Sequence, residues 1–278
     1  AFAQKLIDNG HKVTLVCGSY WIADTGLYSS FHKGIRRGFV DGIDVIELEL
    51  KYSNSDNFVK RIYTFLKFSF LGIKIAFKED YDVIFCTSTP LTAGIPGIIS
   101  KIFRSKKFIF EVRDLWPELP KSMGVIKNPV ILKLMDLLET ISYRCSDMCI
   151  GLSPGIVQGI RKKVPNKKIY MIPNGCDINL IKNITKKNKK KFITAFTGAH
   201  GIANGLDSVL DVAKYLLKKN QKDIYFKFIG DGSQKNKLIL RAQEENLVNC
   251  EFIDPMKKTD LFKYLKKEVD VGLMILDN

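Results

Sequence analysis

"YDVIFCTSTPLTAGIPGIISKIFRSKKFIFEVRD", Tyr81 to Asp114, reads as strand, helix, strand. The first run, 81–88, is apolar with few interruptions, as suits a strand covered on both faces. Residues 90–103 are small and apolar at helical spacing, with Pro90 at the front, where a helix tolerates proline. Residues 106–114 are apolar again and end in charges. A crossover of a dozen or more residues between two such strands makes them parallel. The unit is therefore βαβ, and it sets the expectation for its neighbours.

The same alternation runs outward in both directions. Before it, 1–17 reads as a helix, a Gly10 stop and a strand from Val13 to Cys17, followed by a strand at 43–50 and a helix at 57–78. After it come a helix at 129–147, a strand at 148–153, a helix at 154–164 and a strand at 168–174. A helix that feeds a strand normally follows an earlier strand of the same sheet. The expectation is that a first strand and its loop precede Ala1.

"KNITKKNKKK", 182–191, breaks the pattern with six lysines in ten residues and reads as a linker. A second series follows, with strands at 192–198, 224–230, 250–254 and 270–276 and helices at 205–219, 234–246 and 258–268. The expectation is an α/β protein of two doubly wound, Rossmann-like parallel-sheet domains facing a cleft. They are 1–182 and 183–278, each incomplete, the first at its start and the second at its end. Ligands of such sheets sit at the carboxyl ends of the strands.

Those strand ends carry the candidate residues. In "FTGAHGIANG", 196–205, Gly198, Gly201 and Gly205 allow main-chain N–H groups to approach an anion ahead of a helix N-terminus. The run lacks Gly-x-Gly-x-x-Gly and Gly-Lys-Ser/Thr, so it is neither the dinucleotide fingerprint nor a Walker loop. "FIGDGS", 228–233, ends a strand in Gly230, Asp231 and Gly232, and "IPNGCD", 172–177, places Asn174 and Gly175 before the linker. Each alone is also a plain turn.

In "FEVRDLWPELP", 110–120, both signs of charge stand beside Trp116. One reading pairs Arg113 with Glu111, Asp114 or Glu118, since a charge at a strand end is costly unless paired. The other puts Asp114 or Glu118 in the cleft to accept a hydrogen bond or proton from a hydroxyl, with Trp116 as the wall and Arg113 meeting an acidic group.

In order and spacing, "VRDLWPE", "GLSPGI", "IPNGCD", "FTGAHGIANGLD" and "FIGDGS" resemble glycosyltransferase family 4, retaining enzymes of GT-B fold. The "RDLWP" variant resembles the bacterial O-antigen and capsule branch, similar to N-acetyl-fucosaminyl transferases that act on lipid-linked sugars. The resemblance covers nearly the whole chain. It implies a nucleotide-sugar donor, usually UDP-linked, held by the second half. The loop 199–205, with His200, Gly201 and Asn204, would meet the diphosphate. Gly230 to Gly232 would lie near the base or ribose, and Asn174 and Gly175 near the hinge. It implies a lipid-linked or glycan acceptor and no metal or other cofactor, because helix N-termini and basic side chains take the diphosphate charge.

Two departures stand out. Arg113–Asp114 replaces the His-Asp of many relatives, and Asn204 replaces a phosphate-loop lysine, with His200 or a residue elsewhere in the chain as its substitute. The acidic donor motif of the family would fall after Asn278, and the chain of 278 residues alone is expected to be inactive.

The helix at Phe58 to Lys78 is apolar around most of its circumference, with Lys60, Lys67, Lys74 and Lys78 on one stripe. It suits an interfacial helix on an anionic bilayer, or a helix packed on the sheet with a lysine-lined solvent face. Net charge is +15, of which +9 falls in 1–182, so no single tail explains it. An anionic partner fits, as does a lysine-rich surface. Six cysteines without a Cys-x-x-Cys pair, and three histidines, speak against zinc and for reduced thiols. No secretory signal or apolar run of about 18 residues is present, so the expected location is cytoplasmic, or peripheral on the inner face of the membrane. The alternatives are a GT-B sugar-nucleotide epimerase and a basic binder of membrane or nucleic acid. No nucleic-acid motif occurs, and a nucleic-acid partner is not expected.

Overall fold

The computed structural model describes residues 2–20, 25–52, 56, 58–122, 124, 126–175 and 191–276. It divides into two compact units, Ala1–Gly175 and Cys176–Asn278. The lysine-rich run at 182–190 and the 182/183 boundary fall outside the described residues.

The first unit opens with α1 (Phe2–Asp8), β1 (Thr14–Tyr20), β2 (Ile35–Val40) and β3 (Ile43–Tyr52). β1 and β3 are parallel, and β2 runs antiparallel to β3, in the order β1-β3-β2. The antiparallel strand departs from the all-parallel expectation. Its turn is Asp41–Gly42, both at positive φ (50° and 80°), the two-residue hairpin geometry that Asp-Gly favours. Arg36 of β2 then meets Glu47 of β3 at 2.8 Å, so adjacent arginines sit comfortably in a strand.

The rest of the unit follows the βαβ expectation. α2 (Phe58–Lys78) leads to β4 (Val83–Thr87), a 3-10 turn (Leu91–Gly94), α3 (Ile95–Arg104) and β5 (Lys107–Val112). Then come α4 (Glu118–Ser122), α5 (Pro129–Cys145), β6 (Met148–Gly151), α6 (Pro154–Lys163) and β7 (Ile169–Met171). The sheet is parallel, in the order β4-β5-β6-β7. Among the described residues the first unit therefore carries two sheets rather than one. The second sheet's core is Phe108, Phe110, Val112, Tyr143, Cys149 and Ile160, each shut off from solvent. A buried phenylalanine contributes about 1.5–3 kcal/mol.

The second unit holds β8 (Phe192–Thr197), a 3-10 turn (Ile202–Asn204), α7 (Asp207–Lys218), β9 (Ile224–Ile229), α8 (Lys235–Glu244), β10 (Cys250–Ile253), α9 (Lys258–Glu268) and β11 (Val271–Leu273). All four strands are parallel, in the order β10-β9-β8-β11. Placing β8 inside the sheet puts the β8 and β9 turns side by side at its carboxyl edge.

Candidate functional site

In the first unit the candidate residues gather at the carboxyl ends of β4, β5 and β6. β5 is tied there by side chains of its neighbour: Thr87 Oγ1 donates to Glu111 at 2.8 Å, and the Arg113 N–H donates to the buried Ser88 Oγ at 2.9 Å. The chain then leaves the sheet, and Arg113, Asp114 and Glu118 emerge together. They line a pocket of about 450 Å³ with Leu115, Ser122, Ser153, Gly155 and Ile156. Ser153 accepts from the Ile156 N–H at 3.3 Å and so starts α6, which brings "GLSPGI" to the same wall.

Of the three possible partners of Arg113, the structure selects Glu111, at 3.8 Å and on a half-exposed side chain. Among the described residues Asp114 accepts from Thr89 Oγ1 alone, at 3.5 Å, and Glu118 is exposed at the start of α4. The three therefore form no closed ionic cluster and leave donors and acceptors facing the pocket. Trp116 departs from the expected wall. Its side chain packs against the core of the second sheet, its indole N–H is buried without an acceptor among the described residues, and Leu115 and Ile156 supply the apolar lining. A larger depression of about 530 Å³, around Arg144, Asp147 and Lys167, carries none of the predicted residues.

In the second unit two turns interlock main chain to main chain. The Gly198 N–H donates to Ile229 O at 3.0 Å, the His200 N–H to Asp231 O at 2.9 Å, and the Gln234 N–H to His200 O at 2.9 Å. A β-carbon on Gly230 would collide with the Gly198 carbonyl, and one on Gly232 with the His200 main chain. Only glycine allows that approach. Gly205 (φ 51°) then turns the chain into α7.

Asn204 is drawn into the turn itself. Its Nδ2 donates to the Ala199 carbonyl at 2.7 Å, closing the loop that the resemblance assigns to the diphosphate. His200 requires a correction. Its imidazole is 0% exposed, caged by Phe196, Phe228 and Phe252 at 6.0–6.4 Å, with neither ring nitrogen bonded among the described residues. Burial first, and then the charge of Lys235, push its pKa below the ordinary value, against the pull of Asp231. Shut off from solvent, the ring cannot stand in for a phosphate-loop lysine, and the main-chain N–H and carbonyl of residue 200 are already bonded to Asp231 and Gln234.

A cation that the motif reading passed over does stand near. Lys235, buried at the start of α8, is close enough to His200 to depress it and donates to Asp254 at 2.6 Å. Asn174 and Gly175 are exposed at the end of the first unit. Among the described residues no group of three or more His, Cys, Asp or Glu could hold a metal ion.

Residues 1–180 match the family described as Glycosyltransferase Family 4, and residues 177–274 match that described as Glycosyl transferases group 1. No curated protein sequence matches the chain. Several solved structures are similar in fold. S. aureus TarM, solved with UDP and alpha-GlcNAc-glycerol, has a TM-score of 0.55 at 16% identity, over 74% of this chain and 40% of its own. Anabaena HepE, solved with UDP and glucose, has a TM-score of 0.58 at 12% identity, over 85% of this chain and 62% of its own. WaaG, a glycosyltransferase involved in lipopolysaccharide biosynthesis, has a TM-score of 0.61 at 11% identity, over 99% of this chain and 69% of its own. The chain thus spans about 40% of TarM's length, and these likenesses extend to the fold alone. With the family match covering residues 1–180 of 278, the chain belongs to glycosyltransferase family 4.

Proposed function

We propose that the protein is a retaining glycosyltransferase that moves a sugar from a UDP-linked donor to a hydroxyl of a lipid-linked or glycan acceptor in cell-surface polysaccharide synthesis. The observation that carries the donor half is the interlocked pair of glycine turns at the β8 and β9 ends, ahead of α7. The N–H groups of Gly198 and His200 are spent on the interlock itself, which holds the loop 199–205 ahead of the α7 N-terminus; the positive end of that helix dipole suits a diphosphate and developing charge on the leaving group without a metal. The acceptor half rests on the pocket of Arg113, Asp114 and Glu118. Asp114 is the group placed to take a hydrogen bond or proton from the attacking hydroxyl, and Arg113 to meet an acidic group of the acceptor.

The test is binding by the full-length protein. Calorimetry is expected to show saturable, EDTA-insensitive binding of UDP, weaker binding of GDP and none of a polyanion control. Equal response to all three would sink the donor reading and favour the basic-binder alternative.

A lipid-linked acceptor also calls for a membrane surface, and α2 supports one. Val59, Tyr63, Leu66, Phe70 and Phe77 are about half exposed or more, and the Lys74 ammonium stands 4.5 Å from the Phe70 ring centre. Apolar and cationic groups thus share one outer face, the composition of an interfacial helix on the cytoplasmic leaflet. No helix among the described residues is long and apolar enough to cross a membrane. Co-sedimentation with phosphatidylglycerol vesicles is expected, lost in the Lys67→Glu/Lys74→Glu double variant; equal binding of both proteins would refute docking through this face.

A further inference from the structure

Behind the Arg113–Asp114 turn lies an ionic cluster, built around one buried carboxylate, that the proposed chemistry does not use. Glu139 of α5 is 1% exposed. Its Oε1 accepts from the Trp116 N–H at 2.7 Å and from the Tyr143 hydroxyl at 2.6 Å. Its Oε2 accepts from Lys163 Nζ of α6. Lys163 also donates to Asp136 at 2.6 Å and to the Trp116 carbonyl at 3.3 Å. Both main-chain polar groups of Trp116 are therefore bonded by side chains, one from each of two helices.

Stability alone is a poor reason for this arrangement. Burying a carboxylate and an ammonium costs about as much as their attraction returns, and apolar residues of the same volume often serve as well. What the cluster does is fix the two peptide groups that flank the Trp116 α-carbon, in a turn between β5 and α4. Trp116 lies two residues after Asp114 and two before Glu118. A displacement of Trp116 is thus passed to both carboxylates, and a shift of about 1 Å in such a group can cost on the order of a hundredfold in rate.

We propose that Glu139, with Lys163 as its partner, is a positioning residue: it clamps the Trp116 main chain so that Arg113, Asp114 and Glu118 stay at the mouth of their pocket. The functional half of this rests on reading that pocket as the acceptor side; the clamp itself does not.

The experiment uses the full-length protein with Trp21, and any other tryptophan outside these 278 residues, replaced by Phe, so that Trp116 is the indole observed. Amide exchange is followed residue by residue, together with Trp116 emission, in the parent, Glu139→Gln and Glu139→Leu. Gln keeps an acceptor for the Trp116 N–H, and Leu does not. In the parent the Trp116 amide is expected to exchange among the slow amides of the first unit. Leu is expected to speed it by about tenfold or more, as befits the loss of a hydrogen bond to a charged group, and to shift the emission. Gln is expected to restore both to near-parent values. The clamp is overturned if Leu and Gln are indistinguishable, or if exchange quickens equally throughout the first unit. Should the Leu variant fail to fold, the parent decides: a Trp116 amide exchanging like a free peptide overturns the clamp. UDP binding, measured alongside, is expected to be unchanged, so loss of the donor reading leaves this result standing.

Discussion

Gly230 lies against the carbonyl of Gly198, closer than any β-carbon could come. The contact joins the ends of β8 and β9 and fixes the spacing of the two turns. A side chain at 230 must push the turns apart. Gly230→Ala is expected to cost about 1–3 kcal/mol of the second unit's stability, the range for overpacking a tight site. UDP binding should fall with it. Thermal unfolding and calorimetry of one preparation check both; a variant with parental melting and parental affinity would show that the turns need not touch.

Asn204 closes the loop that the proposal gives to the diphosphate. Its side-chain Nδ2 donates a hydrogen bond to the Ala199 carbonyl, at 2.7 Å, across the turn. Asn204→Ala should therefore loosen the loop and weaken UDP binding by roughly tenfold, the worth of about one neutral hydrogen bond. Asn204→Asp should weaken it further, because a carboxylate there repels both the carbonyl and the diphosphate. If Ala and Asp bind UDP as the parent does, the loop is not the phosphate site.

The alternation of strand and helix was legible because strands buried on both faces are near-continuous apolar runs, as at 83–87 and 107–112. β2 was not, since Arg36 and Arg37 hide a strand until β3 supplies Glu47, opposite Arg36, and Asp44, diagonal to Arg37, to pair them; the Asp41–Gly42 turn was its only local signal. Arg113, Asp114 and Glu118 could be singled out as a group because they follow a strand directly. Glu139 could not, because in "MDLLETISYRC" it reads as a solvent-facing helical residue. Its burial depends on Lys163, far along the chain, and on a turn whose tryptophan packs inward. His200 misled for the opposite reason. A histidine in a glycine loop suggests a ligand contact, and only the three-dimensional cage of phenylalanines shows it to be core.

That cage is expected to make the second unit acid-sensitive. The folded-state pKa of His200 lies below its ordinary value of 6.5, through burial and Lys235, so the unfolded chain takes up the extra proton first. Stability that depends on the neutral ring is then fully present above about pH 6.5 and is lost as pH falls through that value toward the folded pKa. Melting temperatures taken from pH 8 down to pH 5 are expected to drop over this window. His200→Phe, which fills the cage without a proton to bind, should flatten the drop. A parallel decline in both proteins would place the acid sensitivity elsewhere.

Arg113 and Asp114 should separate stability from chemistry. The Arg113–Glu111 pair is loose, at 3.8 Å with Arg113 half exposed, and exposed pairs contribute only about 0–1 kcal/mol. Arg113→Ala is therefore expected to melt close to the parent while raising the acceptor concentration needed for transfer. Asp114→Asn keeps the shape and removes the proton acceptor, so kcat should fall by roughly 10²–10⁴-fold. UDP affinity should not move in either variant, because the donor turns belong to the other unit. Transfer of label from UDP-sugars to a lipid extract by full-length protein gives the rates, and calorimetry gives the donor affinity. An Asp114→Asn enzyme with parental kcat would remove Asp114 from the chemistry. Glu118→Gln would then be the variant to compare, since Glu118 is the other carboxylate on the same pocket.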